Sequence, residues 1–293
     1  MERVIFIKTR FHGDDFGINL KQTEHFIDCY KNGVLNEISV IVNSDYYFEC
    51  FNMIKNDIKK YNLDFSIHLN LTEGKSILYN NYLTNEDGYF KCGFIKLLFM
   101  TFNKKKYKNI IKDEIREQIK RYIEMTGDSV INIDSHQHVH MIPIVFESVI
   151  EVIDEFKLNI GYIRVPIDNM SIILCTPSIW FKIKPINAVK WLLLKMLYLI
   201  NKKYFDKYNK RMFFGLLFSC SMKKEYIDKL LFKYKKHSLK CNRDIEIMFH
   251  PGYIDRVEGT LNKRNDKLSN VLMSKNRLIE KEVLIDIKKC KVN

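Results

Sequence analysis

Short runs of apolar and β-branched residues recur along the chain at 4–7, 38–42, 65–69, 130–133, 162–165, 213–218 and 245–249. Each has strand length, and several are apolar on both faces. Strands buried on both sides in parallel sheets read this way. Between them, stretches with helical spacing lie at about 19–32, 46–60, 107–126, 144–157, 187–205 and 222–238, with a last one at about 269–289. Gly33 and Gly127 each follow such a stretch, where a left-handed C-cap is expected. Seven strands alternating with helices predict an α/β fold on a parallel sheet, because right-handed crossovers place the helices outside. A closed or nearly closed barrel is the first reading and an open doubly wound sheet the second. Residues 75–106, with Gly88, Gly93 and the run Lys104-Lys105-Lys106, have no clear period and read as an insertion or lid after the third strand.

Composition changes this picture little. A chain of 293 residues, 46% apolar and 28% charged, is globular, and no linker or repeat divides it, so one domain spanning 1–293 is expected. The four apolar residues before Lys8 are too few for a secretory segment, which points to the cytoplasm. Seven scattered cysteines, never spaced as C-x-x-C, suggest neither a disulfide framework nor a thiolate zinc site. The net charge of +13 is compatible with several anionic partners, but no nucleic-acid-binding signature accompanies it. Its one concentration is 182–211, where nine Lys or Arg face only Asp206.

The residues that carry chemistry gather at the strand ends. His12-Gly13-Asp14-Asp15-Phe16-Gly17 comes after the first run, His68-Leu69-Asn70-Leu71-Thr72 ends the third, Asp134-Ser135-His136-Gln137-His138-Val139-His140 comes after the fourth and His250-Pro251-Gly252 after the seventh. Five of eight histidines thus stand at strand C-terminal ends, six with His12. In parallel α/β architectures those ends converge on one face, where sites are found. Imidazole and carboxylate from different strands are the donor set of a divalent metal that keeps a position for water. Taken singly, Asp14-Asp15 reads equally well as a turn or N-cap, His68 as a satisfied core histidine, and His250-Pro251-Gly252 as a strand-ending turn. If 136–140 is extended, His136, His138 and His140 share one side, and spacing does not say which of them binds.

Together the four motifs, continuing through Glu73-Gly74, Met141-Ile142-Pro143 and Tyr253, resemble the YdjC-like carbohydrate deacetylases. That family includes the chitooligosaccharide deacetylases, and its fold is similar to the distorted seven-stranded (β/α) barrel of polysaccharide deacetylases. Weaker echoes at Leu83-Thr84, Asp87-Gly88-Tyr89-Phe90, Gln118 and Arg164-Val165-Pro166 extend the resemblance over about 3–255, leaving 261–293 as a helical extension. The resemblance implies a hydrolase removing acetyl groups from N-acetylated sugars. It makes Asp15, His68 and His136 the ligands of one divalent ion, Asp14 the general base and His250 the general acid. Zn²⁺ or Mg²⁺ is implied, with Co²⁺ and Mn²⁺ open; imidazole ligands favour a transition metal over magnesium. His12, Asn70, His138, His140 and Arg164 are candidates for contacts to substrate or to the ligands, and for Arg164 a surface salt bridge is an equal reading. The family carries Asn-Ala where this chain has His12-Gly13.

Two other classes compete. His12-Gly13-Asp14 has the H-x-D form of an iron facial triad, which would make an oxygenase, but such sites sit on all-β folds. The segment 182–211, with Trp180, Trp191 and the apolar run 192–200, has the form of a basic amphipathic helix lying on a membrane surface. A core-packing helix with a basic polar face is the plainer reading. A homo-oligomer stays open, since core and interface residues look alike in one sequence.

Overall fold

The computed structural model describes residues 7–254 and 272–292. Seven strands, β1 (Thr9–Phe16), β2 (Glu37–Val40), β3 (Asp64–Leu69), β4 (Val130–Ser135), β5 (Asn159–Ile163), β6 (Arg211–Phe214) and β7 (Asp244–Phe249), form one sheet in the order β5-β4-β3-β2-β1-β7-β6. Every pairing is parallel. The sheet curls until its edges nearly meet. A lone parallel bridge joins Asp168, just past β5, to Phe213 of β6. Beside it the Asp168 carboxylate accepts from the Gly215 and Leu217 amides at 2.7 and 2.8 Å. The Arg211 guanidinium lies 4.0 Å from the centre of the Tyr162 ring. The result is the distorted seven-stranded barrel, stitched at its seam by side chains instead of a full ladder.

Several strands were expected to be apolar on both faces, and here the structure corrects the reading. The register puts His12 beside Glu37, Ser39 beside Ser66 and His68 beside Asp134, so these side chains share the inner face. Phe11, Ile38, Ile67, Ile133 and Ile247 alternate with them and pack outward under the helices. The barrel interior is therefore a buried polar network, and the apolar core forms a sleeve around it.

The expected first strand at 4–7 lies mostly outside the described residues. The motif placed after it, His12 to Phe16, is itself strand. Pairing inside the barrel is what makes these polar residues compatible with a central strand.

The helices follow their predicted positions, with refinements. Leu20–Lys31 (α1) is capped by Asn19, whose side chain accepts from the Lys21 and Gln22 amides. The stretch 46–60 breaks into Tyr47–Ile54 (α2) and Ile58–Tyr61 (α3). Phe94–Met100 (α4) lies in the insertion, and Lys104–Thr126 (α5) ends at Gly127, φ 69°, in the expected left-handed cap. Gly33 is not such a cap: helix α1 ends on Asn32, and a Cβ at Gly33 would lie 2.4 Å from the Cys29 carbonyl oxygen. Pro143–Phe156 (α6) and Met170–Leu174 (α7) follow, and the stretch 187–205 divides into Pro185–Ile200 (α8) and Lys202–Tyr208 (α9). Then come Lys224–Cys241 (α10) and Lys275–Val292 (α11). Val283, Leu284 and Ile287 of α11 belong to the main core.

The insertion is tied down. The Glu114 carboxylate on α5 accepts from the Ile77 and Leu78 amides at 3.0 and 2.9 Å and from the Ser76 hydroxyl at 2.5 Å. Isolated bridges pair Lys75 with Tyr89 and Thr84 with Phe90.

Candidate active site

At the C-terminal end of β1 two successive carboxylates face inward, although neighbours on a strand normally point to opposite sides. The device is local. The β1–β2 register is irregular between Gly13 and Phe16, and Asp15 adopts φ 68°, a left-handed conformation costing about 1 kcal/mol outside glycine. The Asp15 carbonyl is held by the Gln22 amide at 2.9 Å. Gly252, φ 105°, allows that contact, since a Cβ there would lie 2.3 Å from Gln22 Cγ.

Asp15, His68 and His136 bring one ligand atom each to within 4.8 Å of one another. The His136 Nδ1 lies 2.8 Å and the His68 Nε2 3.3 Å from Asp15 Oδ1. On the far side of the His68 ring, Nδ1 lies 2.6 Å from Asp134 Oδ1 and 2.8 Å from the Ser39 hydroxyl, an arrangement that leaves Nε2 toward the cluster. A carboxylate behind a histidine is the usual orienting partner of a metal-binding imidazole. One carboxylate and two imidazoles with their donors converging fit a divalent ion. Asp15 is kept well below the usual carboxylate range: burial pushes it up, but His136 and Arg277 outweigh burial. Burial pulls His68 down, yet Asp134 and Asp15 raise it to about 9.

Asp14 is gripped from behind. Both its oxygens accept from Arg164, at 2.8 and 2.9 Å. Arg164 is buried, not at the surface, and reaches Glu246 at 2.6 Å and Asp134 at 3.1 Å as well. Burial raises the Asp14 carboxyl, but Arg164, His68 and His12 together outweigh burial, so it stays ionised. His12 is sealed behind the site, 3.1 Å from Asp134 and 3.4 Å from each of Asp14, Glu37 and Glu246. Burial and Arg164 lower its pKa, but the surrounding carboxylates lift it to about 9. His12, Asp14 and Asp134 also lie close together, but the Arg164 guanidinium already bonds both carboxylates and supplies the cation. That packing leaves the H-x-D pair no open coordination face for a facial triad.

The segment 136–140 is not extended. Gln137 and His138 both adopt left-handed conformations within a tight helical turn, so the three histidines diverge. His136 faces Asp15. The His138 ring meets the Phe213 ring edge-on at 6.5 Å and lines the cavity, and burial depresses its pKa strongly. His140 turns down to the Ser135 hydroxyl at 2.5 Å and the Arg164 carbonyl at 2.8 Å, and burial lowers it to about 4. Asn70 does not line the cavity. Its side chain accepts from the Thr72 and Glu73 amides and donates to Asn43 and the Glu73 carbonyl, shaping the loop after β3.

His250, after β7, stands beside Glu280 of α11. The carboxylate accepts from the His250 amide at 2.5 Å and lies 3.7 Å from Nδ1. Burial pulls His250 down, but Cys220 and Glu280 raise it to about 10. One helical turn earlier, Arg277 donates to Asp15 Oδ2 at 2.6 Å. Neither Arg277 nor Glu280 stands at a strand end or in a motif, so sequence patterns do not single them out. The available signal was their i, i+3 spacing, which puts them on one face of a helix. Glu37 and Glu246 were also missed, although Glu246, between Ile245 and Ile247, has the pattern of an inward polar position.

Asp14, Asp15, His68, His136, His250 and Arg277 floor a cavity of about 860 Å³. The loop 72–74, insertion residues 85–95, helix α8 and residues 216–220 wall it, with Phe94, Ile95, Val189 and Leu193 giving an apolar side. A smaller cavity of about 420 Å³ at the opposite strand ends has no histidine or cysteine in its lining.

Known proteins are similar to this chain. A carbohydrate deacetylase of Danio rerio is 32% identical over 167 residues, covering 55% of this chain and 50% of the relative. One of Thermoanaerobacter pseudethanolicus is 31% identical, covering 55% and 62%. A chitooligosaccharide deacetylase of Citrobacter koseri is 29% identical, covering 50% and 54%. The matches thus span between about half and three fifths of the curated relatives' length. The fold is shared with a crystal structure from Enterococcus faecalis, of a protein provisionally named for cellobiose-phosphate cleavage. Its TM-score is 0.67 at 20% identity, over 97% of this chain and 93% of that one. The sequence profile of YdjC-like proteins matches residues 10–288, nearly the whole chain, which therefore belongs to the YdjC-like family.

Proposed function

We propose that the chain is a metal-dependent hydrolase that removes acetyl groups from N-acetylated sugars. The observation that carries this reading is the meeting of Asp15, His68 and His136 with Asp14 and His250 on the floor of one cavity. Asp15, His68 and His136 would hold the divalent ion, which supplies Lewis acidity toward the acetyl carbonyl and acidifies water. Imidazole donors favour Zn²⁺, Co²⁺ or Mn²⁺ over Mg²⁺.

The remaining work belongs to side chains. Hydrolysis adds water across the amide: a C–O bond forms, the C–N bond breaks, and acetate and the sugar amine leave. Asp14 accepts the proton of the attacking water. Its pairing with Arg164 keeps it ionised and makes it a weak base, adequate only for water that is already acidified. His250, held protonated beside Cys220 and Glu280, gives a proton to the departing nitrogen, without which the amine is a poor leaving group. His138 and the apolar wall exclude water and position the sugar.

The test is acetate release from N-acetylglucosamine oligomers and acetylated sugar conjugates by the metal-loaded full chain, beside Asp14→Asn and His250→Ala. Both substitutions are expected to lower kcat by about 100-fold or more while metal stays bound. Unchanged turnover in either variant removes that residue from the reaction, and no release from any substrate despite bound metal overturns the reading.

A further inference from the structure

Helix α8 breaks the rule for a surface helix. Its buried side carries Asn187, Leu194 and Leu197, but the opposite side is also apolar: Val189 is 61% exposed, Ile200 64%, and Ile186, Leu192, Met196 and Leu199 between 56 and 58%. Positions 189, 192, 196 and 199 recur at helical spacing, so they form one stripe along the outward face. A solvent-facing side normally carries polar residues, and a contiguous apolar stripe of this length marks a contact surface. Phe181, 97% exposed, leads into it. The insertion adds Ile95, Phe99 and Phe102, the last 83% exposed. Ile95 and, on α8, Ile186 and Val189 line the cavity, so its mouth opens between these two apolar elements.

The charge flanking the stripe has one sign. Lys184 and Lys195, and Lys190 on the cavity side, make no ion pair among the described residues, and no Asp or Glu lies between 185 and 200. Asp206, the one acidic residue of 182–211, is taken by Lys202. Pairing this face with a second copy about a two-fold axis would set lysines against lysines. An anionic bilayer complements both features, apolar side chains entering the interface and lysines meeting headgroups. No helix among the described residues is long and apolar enough to cross a membrane, so the contact is with the surface.

We propose that the outward face of α8, together with the exposed residues of the insertion, docks on an anionic lipid bilayer and sets the mouth of the cavity against the headgroup layer. This is independent of the chemistry inside the cavity.

Flotation of the full chain tests it, with vesicles of phosphatidylcholine alone or containing about 30% phosphatidylglycerol. The chain floats with the anionic vesicles at low salt and much less with the neutral ones. Leu192→Glu with Met196→Glu, and separately Lys184→Glu with Lys195→Glu, each weaken binding by about tenfold or more. All four positions lie off the buried face, and an unchanged Tm confirms that the variants fold. Three results overturn the proposal. One is no flotation of the unsubstituted chain at low salt. Another is binding that survives both double substitutions. The third is a concentration-dependent dimer, abolished by Leu192→Glu with Met196→Glu, in a chain that ignores vesicles; that result assigns the face to a second copy.

Discussion

Arg164 carries four polar contacts inside the barrel, to Asp14 twice, to Asp134 and to Glu246, and is wholly buried. Replacing it by Met takes the guanidinium away from three buried carboxylates, and breaking a buried pair in this way costs about 3–5 kcal/mol. Denaturant unfolding of Arg164→Met checks this, and a loss under about 1 kcal/mol would show that the carboxylates find other partners. His140 gives a pH signature. Its folded pKa of about 4 lies below the unfolded value, so the unfolded chain binds the extra proton between the two. Its contribution is complete above about pH 6.5 and is lost as pH falls toward 4, on the order of 3 kcal/mol in all. The difference in stability between the protein and His140→Ala should therefore shrink over that range, and a constant difference would contradict a neutral buried imidazole. At this scale the sequence showed which histidines and aspartates stand at strand ends, because that depends only on order along the chain. It did not show that His136, His138 and His140 diverge, because two left-handed residues inside the turn have no signature in residues that rarely adopt that conformation.

Among the elements, α11 is the least expected contributor. It presents Arg277 to Asp15 and Glu280 to His250, linking the ends of β1 and β7. If Glu280 sustains a protonated His250, Glu280→Gln lowers the pKa of that histidine. Activity that needs the protonated form is lost as pH rises through that pKa, so the basic limb of kcat/KM moves to lower pH, by about one unit or more. A limb that stays in place while the Tm falls would give Glu280 a purely structural part. The helix itself was legible from its spacing, but its place against the site is a tertiary fact. Strand β1 shows the converse: His12, Asp14 and Asp15 read as a loop, because polar residues argue against a buried strand unless a partner such as Arg164 or Asp134 is known. The same ignorance of the inner face made the strands look apolar on both sides.

Over the whole molecule, alternation of strand and helix predicted a parallel sheet, with a barrel as the first reading and an open doubly wound sheet as the second. The barrel seam, closed by Asp168, Tyr162, Arg211 and Glu246, joins residues far apart in sequence that no local pattern links. That closure gathers the ends of β1, β3, β4 and β7 into one cavity and gives the motifs a common chemistry. The central claim is that Asp15, His68 and His136 hold a metal on which hydrolysis of an acetylated sugar depends. Its most direct test is a titration of the metal-stripped full chain with Zn²⁺ or Co²⁺, reading acetate release from an N-acetylglucosamine oligomer at each addition. The expected activity rises from the stripped baseline, breaks at one metal per chain, and is absent at the same ratio in His68→Ala. Acetate release that is full in the stripped protein, or that does not change in His68→Ala, would contradict it.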